Sequence, residues 1–293
     1  MKKKTSGKRI LPVRSHRHLR SLFPFIIALF VAGRGHALDG PEKRLRVITF
    51  NIHHGADAMG FPRLRAVAAL IRRIDPEIIA LQEVDRRWGL RSLWRDQAVW
   101  LAKALNMHYV FAATLDRRPR VPGSGEYGLA VLSRLPVLAA DFLLLPGELE
   151  QRGVLLVWIQ KEGEVFPVAC THLGLSSEDR RRQVASLLRW LPAHPGVLLL
   201  GDFNMEATAP ALQEVAKNLL DLQAACGQGH EGTYSHHGRP VRIDYLFAGP
   251  AWRPLVCRPV PSRASDHRPV VADLAPAQGR CLTSPDGTAY YQT

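Results

Sequence analysis

The sequence predicts an α/β protein, and three observations predict it. Short aliphatic runs have the length of strands, longer stretches between them carry apolar residues at helical spacing, and several of the runs stop abruptly in polar residues. The sharpest of these runs is Val197-Leu-Leu-Leu-Gly-Asp-Phe-Asn-Met-Glu206. Four aliphatic residues bounded by Pro195-Gly196 and Gly201 are too short for a helix and suit a buried strand. An ionised carboxylate and an amide just beyond such a strand stand on a rigid platform, where α/β enzymes keep working groups. A strand followed by an Asx turn is the plainer reading of the same residues.

In chain order, residues 45–51 read as the first strand and 62–74 as a helix, with Leu64, Val67, Leu70, Ile71 and Ile74 on one face. Asp75-Pro76 ends that helix. Residues 77–83 are the next strand, 96–106 the next helix and 108–114 another strand. Strands over 127–133, 137–145, 153–160 and 165–172 follow one another closely, which argues for mixed sheets with helices outside. Ser176-Ser-Glu-Asp179 starts a helix that runs to Leu191, with a Ser-x-x-Asp cap and acids near its positive end. Arg180, Arg181 and Arg182 on it read as a solvated face, the alternative being an anionic substrate.

Residues 1–21 carry eight Lys or Arg and no acid, 22–32 are mostly apolar, and Gly35-His36-Ala37 offers a small-x-small cleavage site. A secretory signal peptide over 1–37 is therefore expected, which makes the protein secreted or periplasmic. An uncleaved, membrane-anchoring segment is the alternative. Residues 38–274 would form one domain and 275–293 a peripheral, polar, Gly/Pro-rich tail. The segment 1–37 holds nine of the 39 basic residues and none of the 26 acids, so the mature net charge falls from +13 to +4. The strongly basic balance is thus no electrostatic footprint of a nucleic-acid binder. Cys170 belongs to a strand core, while Cys226, Cys257 and Cys281 allow at most one disulfide.

The polar residues at the strand ends are Asn51, Glu83, His172, Asp202 with Asn204, Asp244, and Asp266-His267. They comprise oxygen ligands, proton carriers and amide donors. Six such motifs in this order, from about Arg46 to Asp273, resemble the endonuclease/exonuclease/phosphatase superfamily. That is the fold of deoxyribonuclease, apurinic endonucleases, sphingomyelinases and inositol-phosphate phosphatases. The resemblance implies a four-layer sandwich of two mixed β-sheets with helices on the outer faces. It also implies a Mg²⁺-dependent hydrolase that cleaves a phosphodiester by in-line attack of an activated water.

The same resemblance distributes roles. Glu83 is the first metal ligand, since Mg²⁺ takes one or two carboxylates with water and substrate phosphate, and Asp266 is a second. Asp202 and Asn204 orient and activate the water and hold a phosphate oxygen. His267 donates to the transition-state phosphate, with Asp244 setting its tautomer and raising its pKa. His172 binds a phosphate oxygen, and Asn51 supports the carboxylates or the phosphate; independently of the resemblance, Arg152, just before Gly153, is a candidate phosphate contact. One departure stands out: apurinic endonucleases have an Asp two residues after the first Asn, where this chain has His53, followed by His54-Gly55. That loses a carboxylate and leaves the histidines to contact phosphate or to admit a softer ion such as Mn²⁺.

Residues 86–95 interleave four arginines with Trp88, Leu90, Leu93 and Trp94, a composition that suits a membrane interface or a nucleic-acid single strand. A loop packed on the domain with its arginines in water is the plainer alternative. Residues 115–126 form a second basic loop. The near-neutral mature charge and the Trp/Arg loop favour a phospholipid or head-group diester, with peripheral membrane contact and no obligate protein partner. A secreted deoxyribonuclease-like endonuclease is the first alternative. A non-catalytic phosphate-ligand binder is the second, though such a protein needs no full set of catalytic groups.

Overall fold

Along Leu45–Asn51 the side chains divide by parity: Leu45 and Val47 pack into one apolar cluster, Ile48 and Phe50 into another. A strand with both faces buried must lie between two layers. The computed structural model describes residues 14–15, 44–117 and 125–277. Its first half contains β1 (Arg14–Ser15), β2 (Leu45–Asn51), α1 (Leu64–Ile74), β3 (Ile78–Arg86), α2 (Gln97–Leu105), β4 (His108–Asp116) and β5 (Glu126–Ser133). There follow β6 (Val137–Leu145), β7 (Arg152–Lys161), β8 (Glu164–His172), α3 (Ser177–Trp190), β9 (Leu198–Asp202) and α4 (Pro210–Ala216). Last come β10 (Leu220–Asp221), α5 (Leu222–Ala225), β11 (Tyr234–His236), β12 (Arg239–Val241), β13 (Asp244–Ala248), β14 (Trp252–Pro259) and β15 (Val270–Pro276).

Two mixed sheets face one another. One has the order β1-β6-β7-β8-β9-β13-β10, the other β14-β15-β2-β3-β5-β4, and β11-β12 is a separate ribbon. The inner core joins Val47, Ile78 and Val131 of the second sheet to Leu155, Val168 and Leu200 of the first. Outside the second sheet, Ile48 and Leu81 meet Val67 and Ile71 of α1 and Leu101 of α2. Outside the first, Ala169 and Leu199 meet Val184 and Leu187 of α3 and Val215 of α4. The result is the four-layer sandwich, held by apolar burial on both faces of each sheet.

Local chemistry sets the element ends. Asp96 accepts from Val99 N (3.1 Å) to cap α2, and Ser176 Oγ accepts from Asp179 N (3.4 Å) to cap α3. Asp75 and Asn106 close α1 and α2 in the left-handed conformation. Some boundaries differ from expectation. Helix α1 begins at Leu64 rather than 62, without a side-chain cap. Strand β3 runs beyond 83 to Arg86, because a bulge lets pairing with β5 resume at Val84. Strand β15 continues to Pro276, so the final sheet strand carries two residues of the expected tail. Apart from β1, the expected signal segment 1–37 lies outside the described residues, as do 118–124 of the second basic loop, Cys281 and the tail from 278. Among the described residues Cys170, Cys226 and Cys257 are free, and no helix is long and apolar enough to cross a membrane.

Candidate active site

Register brings the polar strand ends together. Across β8 and β9 His172 stands opposite Asp202, and across β9 and β13 Asp202 stands opposite Asp244. Three functional side chains therefore occupy one row at one end of a sheet. Gly201, just before, is required by that pairing: a Cβ there would lie 2.1 Å from the Thr171 carbonyl oxygen. In the facing sheet Asn51 pairs with Gln82 at the end of β2, and the β3 bulge follows at once. Glu83 sits in that bulge with φ 59°, a left-handed conformation that turns its carboxylate toward the gap between the sheets.

Asn51 ties the sheets to each other. Its Nδ2 donates to Glu83 Oε1 and to Asp202 Oδ2, both at 3.0 Å, and its Oδ1 accepts from His53 N at 3.0 Å. That commits both amide hydrogens to the two carboxylates, the first of the two roles expected of Asn51. Its main-chain oxygen accepts from Ser265 Oγ (2.8 Å), which also lies 3.1 Å from Asp266 Oδ1. The segment carrying Asp266 and His267 is thereby fastened to the end of β2.

His267 Nδ1 lies 2.8 Å from Asp244 Oδ2, and His267 Nε2 lies 3.7 Å from Asp202 Oδ2. Burial alone would lower the imidazole pKa, but the Asp244 and Asp202 charges outweigh it and raise it to about 10. Burial and the Asp244 charge raise the Asp202 carboxyl to about 7, against the opposing pull of His267 and Asn51. His172 moves the other way: burial and the neighbouring Arg152 charge hold it well below the usual imidazole range. Burial pushes Glu83 up, yet His54 and the Asn51 amide hold it well below the usual carboxylate range. Near neutral pH the site thus has one charged and one neutral histidine around Asp202.

Arg152 Nη1 lies 3.0 Å from His172 Nδ1 and 2.9 Å from Glu150 Oε1. A guanidinium has no acceptor, so His172 Nδ1 accepts and its Nε2 carries the proton. Arg152, expected at the phosphate, lines the cleft, and its Nη1 fixes the His172 tautomer. Asn204, at φ 52°, donates through Nδ2 to Leu173 O (2.9 Å), which orients the amide with that same nitrogen 3.1 Å from His172 Nε2. Two donors therefore converge beside Asp202 Oδ2, itself 3.5 Å from His172 Nε2. The Asx turn is present as well, with Asn204 N donating to Asp202 Oδ1 at 2.9 Å.

All these groups open on, or stand directly behind, a cleft of about 850 Å³ whose walls include Glu83, Arg152, His172, Asp202, Asn204, Asp266 and His267. Of the predicted site residues, Asn51 and Asp244 form no part of its wall and act through hydrogen bonds. His53 and His54 line it too, with Nδ1 atoms 3.8 Å from Asp266 Oδ1 and 3.9 Å from Glu83 Oε2. Asp202, Asp244 and His267 have ligand-type atoms within 4.8 Å of one another. That trio does not suit a cation, because His267 Nδ1 and Asp244 Oδ2 are engaged with each other and the raised imidazole keeps its proton. Glu83 and Asp266 fit better: both carboxylates are partly exposed on the cleft wall, and oxygen donors beside open space match what Mg²⁺ or Mn²⁺ takes.

Sequence reasoning passed over Tyr234, whose ring lies 4.7 Å from the His267 ring and whose backbone bridges to His267. It also missed Thr233, whose Oγ1 accepts from Asp244 N at 3.1 Å. The run Thr233-Tyr-Ser-His-His237 was the available signal, a cluster of hydroxyl and ring residues in a Gly-rich stretch. Of the three α3 arginines, Arg181 pairs with Glu178 and Arg182 with Asp179, whereas Arg180 lines the cleft.

The family model described as the Endonuclease/Exonuclease/phosphatase family matches residues 48–267. The Uncharacterized protein YbhP of Escherichia coli K12 is 33% identical over 213 residues, which make up 67% of this chain and 78% of that protein. Among solved structures, an endonuclease/exonuclease/phosphatase from Beutenbergia cavernae DSM 12333 superposes with a TM-score of 0.71 at 29% identity, covering 81% of this chain and 72% of that one. The human Nocturnin catalytic domain shares the fold, with a TM-score of 0.62 at 22% identity over 80% of this chain and 94% of its own.

Proposed function

The chain belongs to the endonuclease/exonuclease/phosphatase family, and from that membership we propose that it is a divalent-metal-dependent phosphodiesterase. Family members are hydrolases acting on phosphoester bonds. The observation that carries the reading is the position of Asp202, a buried carboxylate with His172 Nε2 at 3.5 Å and His267 Nε2 at 3.7 Å from its Oδ2; burial and the Asp244 charge push its pKa up to about 7. A base serves best when its pKa lies near the working pH.

In this reading Asp202 takes the proton of the attacking water as its oxygen bonds to phosphorus, while the ester P–O bond opposite breaks and the leaving oxygen takes up a proton from solvent. Asn204 Nδ2 and His172 Nε2–H, two donors 3.1 Å apart, receive one phosphate oxygen. The His267 imidazolium, held by Asp244, faces the charge that builds on the phosphate in the transition state. Glu83 and Asp266 would hold Mg²⁺ or Mn²⁺, which supplies charge neutralisation at the phosphate and leaving oxygens. Arg152 and Asn51 act behind these groups as positioning residues.

Within the class, the substrate we favour is a phospholipid head-group diester. Exposed apolar and arginine-rich loops beside the cleft support it, and the order of basic, apolar and small residues over 1–37 supports export. The first test is hydrolysis of a soluble aryl phosphodiester, with and without chelator, by the full chain and by Asp202→Asn. Metal-dependent turnover lost in the variant supports the reading, and equal turnover in both overturns the site assignment. Nicking of supercoiled plasmid that needs both metal and Asp202 would put the nuclease reading first.

A further inference from the structure

We propose that segments 57–62 and 87–95, the second of which reaches the cleft through Trp88 and Arg91, form one docking face for an anionic bilayer. The inference goes beyond the hydrolytic reading and is testable without turnover. Met59 (80% exposed), Phe61 (60%), Leu90 (78%), Leu93 (51%) and Trp94 (52%) put five large apolar side chains into solvent on these two short segments. Isolated exposed apolar residues are ordinary, but five on adjoining loops mark a surface that meets something.

The loops adjoin because the polypeptide ties them together. Gln97 Nε2 donates to His54 O at 2.6 Å, and a groove of about 430 Å³ has Pro62 and Arg65 on one side and Leu93 and Arg95 on the other. Both loops are braced from beneath. Asp57 accepts from Met59 N and Phe61 N, each at 3.0 Å, and pairs with Arg63 at 2.8 Å. The fully buried Asp85 accepts two bonds from Arg91, at 2.9 and 2.8 Å, and the Arg91 guanidinium lies over the Trp88 ring. This bracing uses the polar groups below and leaves the apolar side chains pointing outward. Two members of the arginine loop are taken up by buried carboxylates, Arg86 by Glu126 and Arg91 by Asp85.

Charge decides the partner. The carboxylates of the two loops and their borders are all engaged: Asp57 with Arg63, Asp85 with Arg91, and Asp96 at the α2 cap. Arg65, Arg87 and Arg95 have no carboxylate partner among the described residues. The face is therefore apolar with an uncompensated positive rim, complementary to a surface with anionic head groups above acyl chains. A nucleic-acid strand fits it less well. Three of the five exposed side chains, Met59, Leu90 and Leu93, are aliphatic, and these insert among acyl chains but offer no stacking plane to a base. His53, His54, Trp88 and Arg91 of the same segments and their borders line the cleft, so a bilayer on this face would hold its head groups at the mouth of the site.

The test uses the full chain with vesicles of phosphatidylcholine alone or mixed with phosphatidylglycerol. Two readouts are taken: the partition coefficient, and quenching of tryptophan fluorescence by brominated acyl chains. The Phe61→Ser/Leu93→Ser/Trp94→Ser variant is expected to partition about tenfold or more weakly into the mixed vesicles. Brominated chains should quench the wild type, and the quenched component should vanish in Trp94→Phe. Arg65→Glu/Arg87→Glu should weaken binding to the mixed vesicles and leave binding to phosphatidylcholine unchanged. Equal partition of the triple variant and wild type, or no quenching attributable to Trp94, overturns the proposal. So does a loss of single-stranded oligonucleotide affinity, or of self-association, in the triple variant without any change in vesicle binding. Hydrolysis of the soluble aryl diester should be unchanged in the triple variant. If the wild type lacks that hydrolysis, the functional reading fails while the vesicle result stands by itself.

Discussion

His267 Nδ1 lies 2.8 Å from Asp244 Oδ2, and Asp244 gains this partner only because β13 is held in register with β9 while Ser265 anchors the His267 segment to the end of β2. The Asp244 backbone N donates to Thr233 Oγ1, and the Tyr234 ring packs against the imidazole. The carboxylate therefore has one orientation in which its oxygen meets the ring nitrogen. Its other oxygen, Oδ1, is buried without a hydrogen-bond partner among the described residues, so the His267 contact is what compensates the buried charge.

Asp244→Asn is expected to lower kcat by about 10³-fold with little change in KM, since it removes the charge that keeps the imidazole protonated and correctly oriented. The His267 pKa should fall from about 10, followed by NMR titration of the ring protons. An unaltered titration would remove Asp244 from this role.

The pH profile follows from the two upward shifts. Asp202 must lose its proton to act as base, so the rate rises through about pH 7. His267 must keep its own, so the rate falls through about pH 10. In Asp244→Asn the alkaline limb moves to lower pH while the acid limb moves the same way, because the Asp244 charge raises both groups. Initial rates on a soluble diester from about pH 5 to about pH 11, which spans both limbs, measure this.

Glu83→Gln should raise the Mn²⁺ or Mg²⁺ concentration needed for half-maximal activity by about tenfold to a hundredfold, as loss of one ionised ligand weakens a site with few protein donors. Direct binding by isothermal titration calorimetry gives the same quantity without turnover. Identical affinity in wild type and variant would move the cation elsewhere.

His172→Ala and Asn204→Ala each delete one of the two converging donors and should each cost about 10²-fold in kcat. Arg152→Ala should cost less in rate yet let the His172 pKa rise, because the arginine charge helps to hold it down. An NMR titration of His172 in that variant separates a positioning role from direct contact with phosphate.

Gly201→Ala forces a Cβ to within 2.1 Å of the Thr171 carbonyl oxygen in the middle of the sheet. Strain of this kind costs about 1–3 kcal/mol or more. Urea denaturation should show a lower midpoint with an unchanged slope, and equal midpoints would mean that β8 and β9 move apart without cost.

Much of this was legible in one dimension because it rests on local chemistry. The parity of Val47 and Ile48, the spacing of Val67, Leu70, Ile71 and Ile74, and the cap residues Asp96 and Ser176 are properties of neighbouring residues. The strand ends were legible as well, since a run of Leu198 to Leu200 that breaks into Gly201 and Asp202 announces where apolar burial stops. Resemblance in motif order then grouped Asn51, Glu83, His172, Asp202, Asn204, Asp244, Asp266 and His267 into one site.

The sequence by itself determined the α/β class, the order of elements and the identity of the polar residues at their ends. Only the tertiary structure decided what each of those residues does to the others. The pairing of His172 with Asp202 and Asp202 with Asp244 is a matter of strand register. The contacts of Asn51 with the two carboxylates and of Arg152 with His172 depend on hydrogen bonds between residues 20 to 151 positions apart. The same holds for the rim: composition marks 86–95 as basic and aromatic, but which arginines are spent on buried carboxylates and which apolar side chains reach solvent is set by packing. Periodicity and propensity act over a few residues, whereas charge, burial and hydrogen bonding at a site act through space, between segments that the chain brings together only when it folds.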